Sequence, residues 1–110
     1  MVEGLWIVQY VGLTGNDSGA VVFVNGKVFG GDNGFVYTGT YTETDTGLSG
    51  RIDVHNFNPA VASILNIKGD YTIQAELKYK SEDVLEGNAS LVKPAGVGII
   101  LKLTRYCRLN

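Results

Sequence analysis

The sequence predicts an all-β protein: an eight-stranded antiparallel up-and-down barrel with one short helix. Short stretches of alternating apolar and polar residues recur along the chain, and turns rich in Gly, Asn and Asp separate them. No stretch has the spacing of a strand–helix–strand unit, so neighbouring strands are expected to pair antiparallel. A sandwich is the competing architecture, but short links favour a meander that closes on itself and removes its edges.

The composition fits one domain spanning residues 1–110 that carries no large surface charge. A net charge of −2 gives no electrostatic footprint for direct binding of nucleic acid. The single cysteine, Cys107, cannot form an internal disulfide, and the N-terminus lacks a basic and apolar leader. No stretch approaches the roughly 18 apolar residues of a membrane helix. These features predict a cytoplasmic protein with no membrane association.

Turn-forming residues divide the chain into its predicted strands. Asn25-Gly26 is a strong signal for a two-residue hairpin, and Gly30–Gly34 forms a dense turn because glycine permits positive φ. The stretch Leu13–Gly19 is expected to be a loop. The predicted strands are Gly4–Gly12, Ala20–Asn25, Lys27–Gly30, Phe35–Glu43, Leu48–Phe57, Tyr71–Lys80, Val84–Lys93 and Ile99–Tyr106.

One segment breaks the strand pattern and predicts a short helix over Pro59–Ile67. Asn58 is a favoured capping residue, and Pro59 suits the first helical position because its missing N–H needs no partner there. Val61, Ile64 and Leu65 then supply an apolar stripe at helical spacing. We expect this stripe to pack against one mouth of the barrel.

No constellation of catalytic or metal-binding residues emerges from the sequence. Asp45-Thr46-Gly47 matches a short aspartic-protease signature, but that chemistry needs two aspartates behind apolar strands, and here the preceding residues are polar. His55 is the single histidine, and Arg51 and Asp53 on its face are expected to pair with it. A zinc site lacks ligands. The sequence therefore predicts a protein that is not an enzyme and has no cofactor.

Small residues fall on the predicted inward faces of several strands. Either they leave room for a small apolar ligand, or they fit the taper of a filled barrel. The candidate cavity residues are Gly50, Ala75, Gly87 and Ala89.

The first two strands carry apolar residues on both faces, so one apolar face is expected to remain outside. A contiguous exposed apolar surface usually marks an interface, and a two-fold contact pairs one patch with itself. The sequence thus predicts a homodimer through the outer faces of these strands. The candidate interface residues are Val8, Tyr10, Val21 and Phe23.

Trp6 on the first strand and Arg105 on the last become neighbours if the barrel closes. This pair resembles the calycin, or lipocalin-like, arrangement, in which a first-strand tryptophan is covered by an arginine from the last strand. The alternative is that Trp6 is ordinary core and Arg105 an exposed charge.

Five short stretches keep their order between residues 4 and 80: Gly4-Leu5-Trp6, Gly30-Gly31-Asp32, Val36-Tyr37-x-Gly39, Ser63–Ile67 and Asp70-Tyr71. This ordered set resembles the GrlR-like family of small bacterial proteins, named for the negative regulator of type III secretion in enteric pathogens. The resemblance implies a lipocalin-like eight-stranded barrel that dimerises. It also implies a role without enzymatic activity, in which the barrel sequesters a helix-turn-helix transcription activator.

The same resemblance implies the residues that would contact this protein partner. In the regulator, an acidic run on a surface turn contributes to the contact, and Glu43 and Asp45 occupy the matching place here, interrupted by threonines. Acids on an exposed turn suit a basic, DNA-binding partner. The alternative function, from another class, is a lipocalin-like carrier or sensor of a small apolar ligand in the barrel interior.

Overall fold

In a computed structural model the chain forms a closed barrel of eight antiparallel strands, and residues 1–12, 15–61, 63, 69–92 and 98–109 are described. Each strand pairs with the next along the chain, and the last pairs with the first. This confirms the predicted barrel. The strands are β1 (Gly4–Gly12), β2 (Gly15–Val24), β3 (Lys27–Gly31), β4 (Phe35–Glu43), β5 (Gly47–Asn56), β6 (Tyr71–Ser81), β7 (Val84–Leu91) and β8 (Gly98–Arg108).

The barrel forms because apolar residues alternate in register across neighbouring strands. Leu48 of β5 pairs with Leu77 of β6, and both side chains are buried. Cross-strand partners point to the same side of a sheet, so one row of apolar side chains continues into the next around the barrel. The core therefore occupies the barrel interior.

The predicted two-residue hairpin joins β2 to β3. Asn25 has φ 50° and Gly26 has φ 78°, and such paired positive values match the right-handed twist of the flanking strands. Val24 and Lys27 face each other across the turn as register partners.

The prediction of a loop over Leu13–Gly19 is wrong for most of its length. Residues 15–19 belong to β2 and pair with residues 8–12 of β1, while residues 13 and 14 lie outside the described part. The long first strand offers a ladder of backbone partners, and that pairing outweighs the local turn preference of the polar residues.

The predicted helix begins as a turn and is not seen further in the described residues. The Val61 amide donates to the Asn58 carbonyl at 3.0 Å, and the Ala60 amide donates to the Asn58 side-chain oxygen at 3.2 Å. The Asn58 side chain thus holds a turn in the described residues. Residues 62 and 64–68, with most of the predicted apolar stripe, lie outside the described residues.

The prediction that Val8, Tyr10, Val21 and Phe23 face outward is wrong, so these residues do not form an outer interface. Each is at most 8% exposed and points into the barrel. Trp6 fixes this direction: it is buried, Val8 and Tyr10 share its side of β1, and Val21 is its partner on β2. Alternation within β1 could not distinguish the faces because both are apolar.

Candidate functional site

One end of the barrel, here called the closed end, is filled by a buried tryptophan under a buried arginine. Trp6 is fully buried, and its indole N–H donates to the Val2 carbonyl at 2.8 Å. The Arg105 guanidinium carbon lies 4.6 Å from the centre of the Trp6 ring, within the range of a cation–π contact. The predicted pairing of Trp6 with Arg105 is confirmed.

The Arg105 side chain, only 3% exposed, joins β8 by hydrogen bonds to the N-terminal residues and to the turn between β6 and β7. Nη1 donates to the Met1 and Glu3 carbonyls at 2.9 and 3.1 Å, and Nη2 donates to the Glu82 carbonyl at 2.8 Å. Nε donates to Asp83 Oδ1 at 2.9 Å. A buried charge is tolerated when its donors are paired in this way. Trp6 and Arg105 together fill the closed end, and we call this pair the plug.

Glu43 belongs to the closed end and is not a free surface acid. Its carboxylate accepts from the Val2 amide at 3.1 Å and from the Tyr79 hydroxyl at 2.6 Å, and its side chain is 20% exposed. Burial, followed by the hydrogen bond to Glu43, raises the pKa of Tyr79 above its usual value. Asp45 is exposed on the β4–β5 turn. The expectation that both acids are exposed on this turn is therefore wrong for Glu43.

Beyond this plug the barrel interior contains a cavity that reaches the opposite, open end. The space that the centre of a water-sized sphere can occupy is about 100 Å³. The wall is mainly apolar, and it ends in a polar rim to which Asp17 and Asp32 contribute. The apolar wall includes Val8, Val21, Phe23, Val28, Leu48, Ile52, Leu77, Leu101 and Leu103.

Two of the four residues predicted to line a cavity do so. Gly50 and Ala75, register partners on β5 and β6, border the cavity. Ala89 is buried in the core but does not border the cavity. Gly87 does not border it either: a Cβ there would overlap the Glu76 carbonyl oxygen, so this glycine permits close strand approach.

A carboxylate binds two tyrosines at the rim of the open end. Asp32 Oδ1 accepts from the Gly34 and Phe35 amides, each at 2.9 Å, and thereby holds the turn after β3. Asp32 Oδ2 accepts from the hydroxyls of Tyr10 and Tyr37, whose oxygens lie 2.9 Å apart. We call Tyr10, Asp32 and Tyr37 the rim cluster.

The two tyrosines of the rim cluster remain protonated over the ordinary pH range. Burial is the main cause that raises the pKa of Tyr10 and of Tyr37 far above the usual value, and the hydrogen bond to the Asp32 carboxylate raises both further. Each phenol therefore stays neutral and can donate a hydrogen bond to Asp32. The sequence-based prediction identified the turn around Asp32 but missed this cluster.

A second polar contact lies on the same rim. The Tyr71 and Ser63 hydroxyl oxygens are 3.1 Å apart, and the Tyr71 ring lies 6.2 Å from the Phe35 ring. Burial raises the pKa of Tyr71. The described part of the rim is thus mainly aromatic, with hydroxyl and carboxylate oxygens as its polar atoms.

His55 lies outside the barrel and has a different partner from the predicted ones. Its Nδ1 is 3.0 Å from both carboxylate oxygens of Asp70, which also accepts from the Asn56 amide at 3.0 Å. The predicted pairing with Arg51 and Asp53 is not seen. Among the described residues, no group of three or more His, Cys, Asp or Glu is placed to hold a metal ion. That part of the chain also has no helix suited by length and apolarity to span a membrane.

The fold and the two ends define the molecule as a closed antiparallel barrel of eight strands with a plugged end and an apolar cavity, which fits a lipocalin-like arrangement. No protein-family model matches the chain, and no curated protein matches it.

Proposed function

We propose that this protein binds a small, largely apolar molecule inside the barrel. The observation that carries the proposal is the apolar cavity between the Trp6–Arg105 plug and the rim cluster. Ligand sites in proteins are typically concave and apolar, with a few polar groups that orient the ligand. Here the wall supplies the apolar surface, and the rim supplies the polar groups.

Restored van der Waals contacts and burial of apolar surface both favour a ligand in this cavity. An apolar cavity lacks the close contacts of a packed core, and an apolar ligand restores them while its own surface leaves water. A molecule that binds the folded chain alone also raises its melting temperature.

The test is displacement of the neutral dye Nile red by octan-1-ol, together with thermal melting in the presence of octan-1-ol. We expect saturable binding and a higher melting temperature. Ala75→Leu places a larger side chain in the cavity and should weaken binding by about tenfold or more. Thr42→Leu adds the same side chain on the outer face of β4 and should bind as the wild type does. Absence of binding, or equal binding by both variants, would contradict the proposal.

A second proposal is that the barrel forms a homodimer through an outer apolar patch on β1, β2 and β3. Leu5, Val22 and Phe29 are successive register partners on the outer face, and Ile7 lies beside them. Phe29 is 47% exposed and Ile7 is 41% exposed. Because the patch carries no charge, a second copy meets it without like-charge repulsion, as a two-fold contact requires.

Sedimentation of the wild type and of two charge-introducing variants tests the dimer. Phe29→Glu should give monomers at micromolar concentration because a carboxylate would be buried in the contact. Phe57→Glu is the matched control, since Phe57 is exposed but outside the patch. A monomeric wild type, or an equal effect of both variants, would refute this interface.

The activator-sequestering role implied by the family resemblance remains a further proposal, and it now depends on Asp45. Asp45 is exposed, and the turn that carries it is held by a hydrogen bond of 2.8 Å from the Thr44 amide to the Gly47 carbonyl. A single rim charge mainly affects the association rate. Asp45→Ala should therefore slow capture of a helix-turn-helix activator from the native host a few-fold at low salt. Recovery of no DNA-binding protein would count against the role.

A further inference from the structure

The rim cluster has more hydrogen-bond acceptors than protons. Asp32 Oδ1 accepts hydrogen bonds from two backbone amides, and Oδ2 accepts one from each tyrosine hydroxyl. Each phenol has one proton to donate. With both directed to Asp32, the Tyr10 and Tyr37 oxygens, 2.9 Å apart, present lone pairs to each other. A hydrogen-bond donor arriving from the cavity would relieve this arrangement.

Among the described residues, the charges that border the cavity are of one sign. Asp17 and Asp32 both border it, and within the described residues no lysine or arginine does. Lys68 and Lys93 belong to segments outside the described residues. Of the described cations, Arg105 and Arg108 are paired at the closed end with Asp83. The charges on the described rim therefore favour a positive group over a negative one.

Aromatic rings surround the same place. Tyr10, Phe35, Tyr37 and Tyr71 all border the cavity at its open end. The face of an aromatic ring carries negative charge density and attracts ammonium groups, most strongly where water is excluded. Rings, phenol oxygens and carboxylates thus all favour a cationic donor.

Building on the proposed function, we propose that the ligand is an amphipathic amine. Its ammonium group lies at the rim cluster and donates to the phenol oxygens beside the Asp32 carboxylate, while its apolar body fills the cavity. A fatty acid is a poor occupant, because its carboxylate would lie beside Asp32 and Asp17.

Calorimetric titration with octylamine, octan-1-ol and octanoate at neutral pH tests the head group, because the three share one apolar chain. We expect octylamine to bind tightest and octanoate weakest, with the amine favoured over the acid by about tenfold or more. Asp32→Asn keeps an oxygen for the Gly34 and Phe35 amides but removes the charge, so it should bring the amine close to the alcohol. Asp53→Asn is the matched control: it removes the same charge from the outer face of β5 and should keep the preference.

The outcomes separate this inference from the proposed function. If octanoate or octan-1-ol binds as tightly as octylamine, the amine assignment is wrong and interior binding stands. If none of the three binds, the proposed function itself fails. Should Asp32→Asn not fold, Asp17→Asn and Tyr37→Phe decide the matter. A loss of amine preference in either supports the assignment, and an unchanged preference in both overturns it.

Discussion

Both ends of the barrel combine aromatic rings with an ionised side chain, but the closed end is filled whereas the open end borders a cavity. At the closed end, Arg105 donates to three backbone carbonyls and to Asp83 while covering Trp6. At the open end, Asp32 holds two tyrosine hydroxyls that border empty space. The Arg105 donors are directed to protein atoms, so this side chain holds the closed end together. At the open end, the Tyr10 and Tyr37 oxygens retain lone pairs that can accept a hydrogen bond from a ligand. We therefore expect changes at the closed end to affect stability and changes at the open end to affect binding.

The largest expected effect tests the closed end by removal of its aromatic ring. Trp6→Ala should lower the free energy of unfolding by about 3–5 kcal/mol, because it deletes a fully buried side chain and leaves a cavity. Phe57→Ala is the control, since it removes a half-exposed ring that lies outside the proposed interface. Urea denaturation measures both, and a tryptophan variant as stable as the control would refute the plug.

The next effect concerns the arginine that covers the ring. Arg105→Met preserves much of the side-chain volume but leaves the carbonyls of Met1, Glu3 and Glu82 without this donor. Loss of about 2–4 kcal/mol of stability is expected, since a nearly buried side chain loses its four hydrogen bonds and its cation–π contact with Trp6. Arg108→Met removes a half-exposed arginine paired with Glu82 and should cost about 1 kcal/mol or less. Equal losses in the two variants would show that the coverage of Trp6 contributes little.

A smaller effect is expected at the open end from loss of one hydroxyl. Tyr37→Phe removes a hydrogen bond to Asp32 and should cost about 1 kcal/mol at neutral pH. The folded-state pKa of Tyr37 is raised, so its contribution is fully present below the unfolded value of about 10 and is lost as the pH rises above it. The variant should therefore lose less stability than the wild type in alkali. Tyr106→Phe, at an exposed position, is the control, and matching alkaline profiles for both variants would contradict the buried cluster.

The closed end could be predicted from sequence, while most of the open end could not. Trp6 and Arg105 lie on the first and last strands, so closure alone brings them together. The rim cluster takes Tyr10 from β1, Asp32 from a turn and Tyr37 from β4, and no short pattern links these three residues. Turn formation alone explains the glycine-rich stretch around Asp32. Nothing in the sequence therefore points to the second role of Asp32, which is to accept hydrogen bonds from two tyrosines.

Which face of the first two strands points into the barrel could nevertheless be inferred from the sequence. If Trp6 is core, then Val8 and Tyr10 on the same side of β1 must also point inward, because side chains alternate strictly along a strand. The same reasoning leaves Leu5 and Ile7 outside, where the structure exposes part of each. An apolar pattern on both faces is ambiguous by itself, but a single fixed residue resolves it for the whole strand.

The smallest expected effect lies on the outside of the open end, where His55 and Asp70 join the end of β5 to the start of β6. The hydrogen bond from His55, followed by that from the Asn56 amide, lowers the pKa of Asp70. A carboxyl with a depressed folded-state pKa stabilises the fold above its unfolded pKa of about 3.9 and loses that contribution as the pH falls through the lower folded-state value. Asp70→Asn should therefore melt slightly below the wild type at neutral pH, and the difference should vanish in acid. Octylamine affinity should be unchanged in Asp70→Asn and in Asp53→Asn, which lies on the same outer face. A clear loss of amine binding in Asp70→Asn would instead show that this outer pair influences the cavity. Residues on the outside of the open end would then affect ligand binding as well as stability.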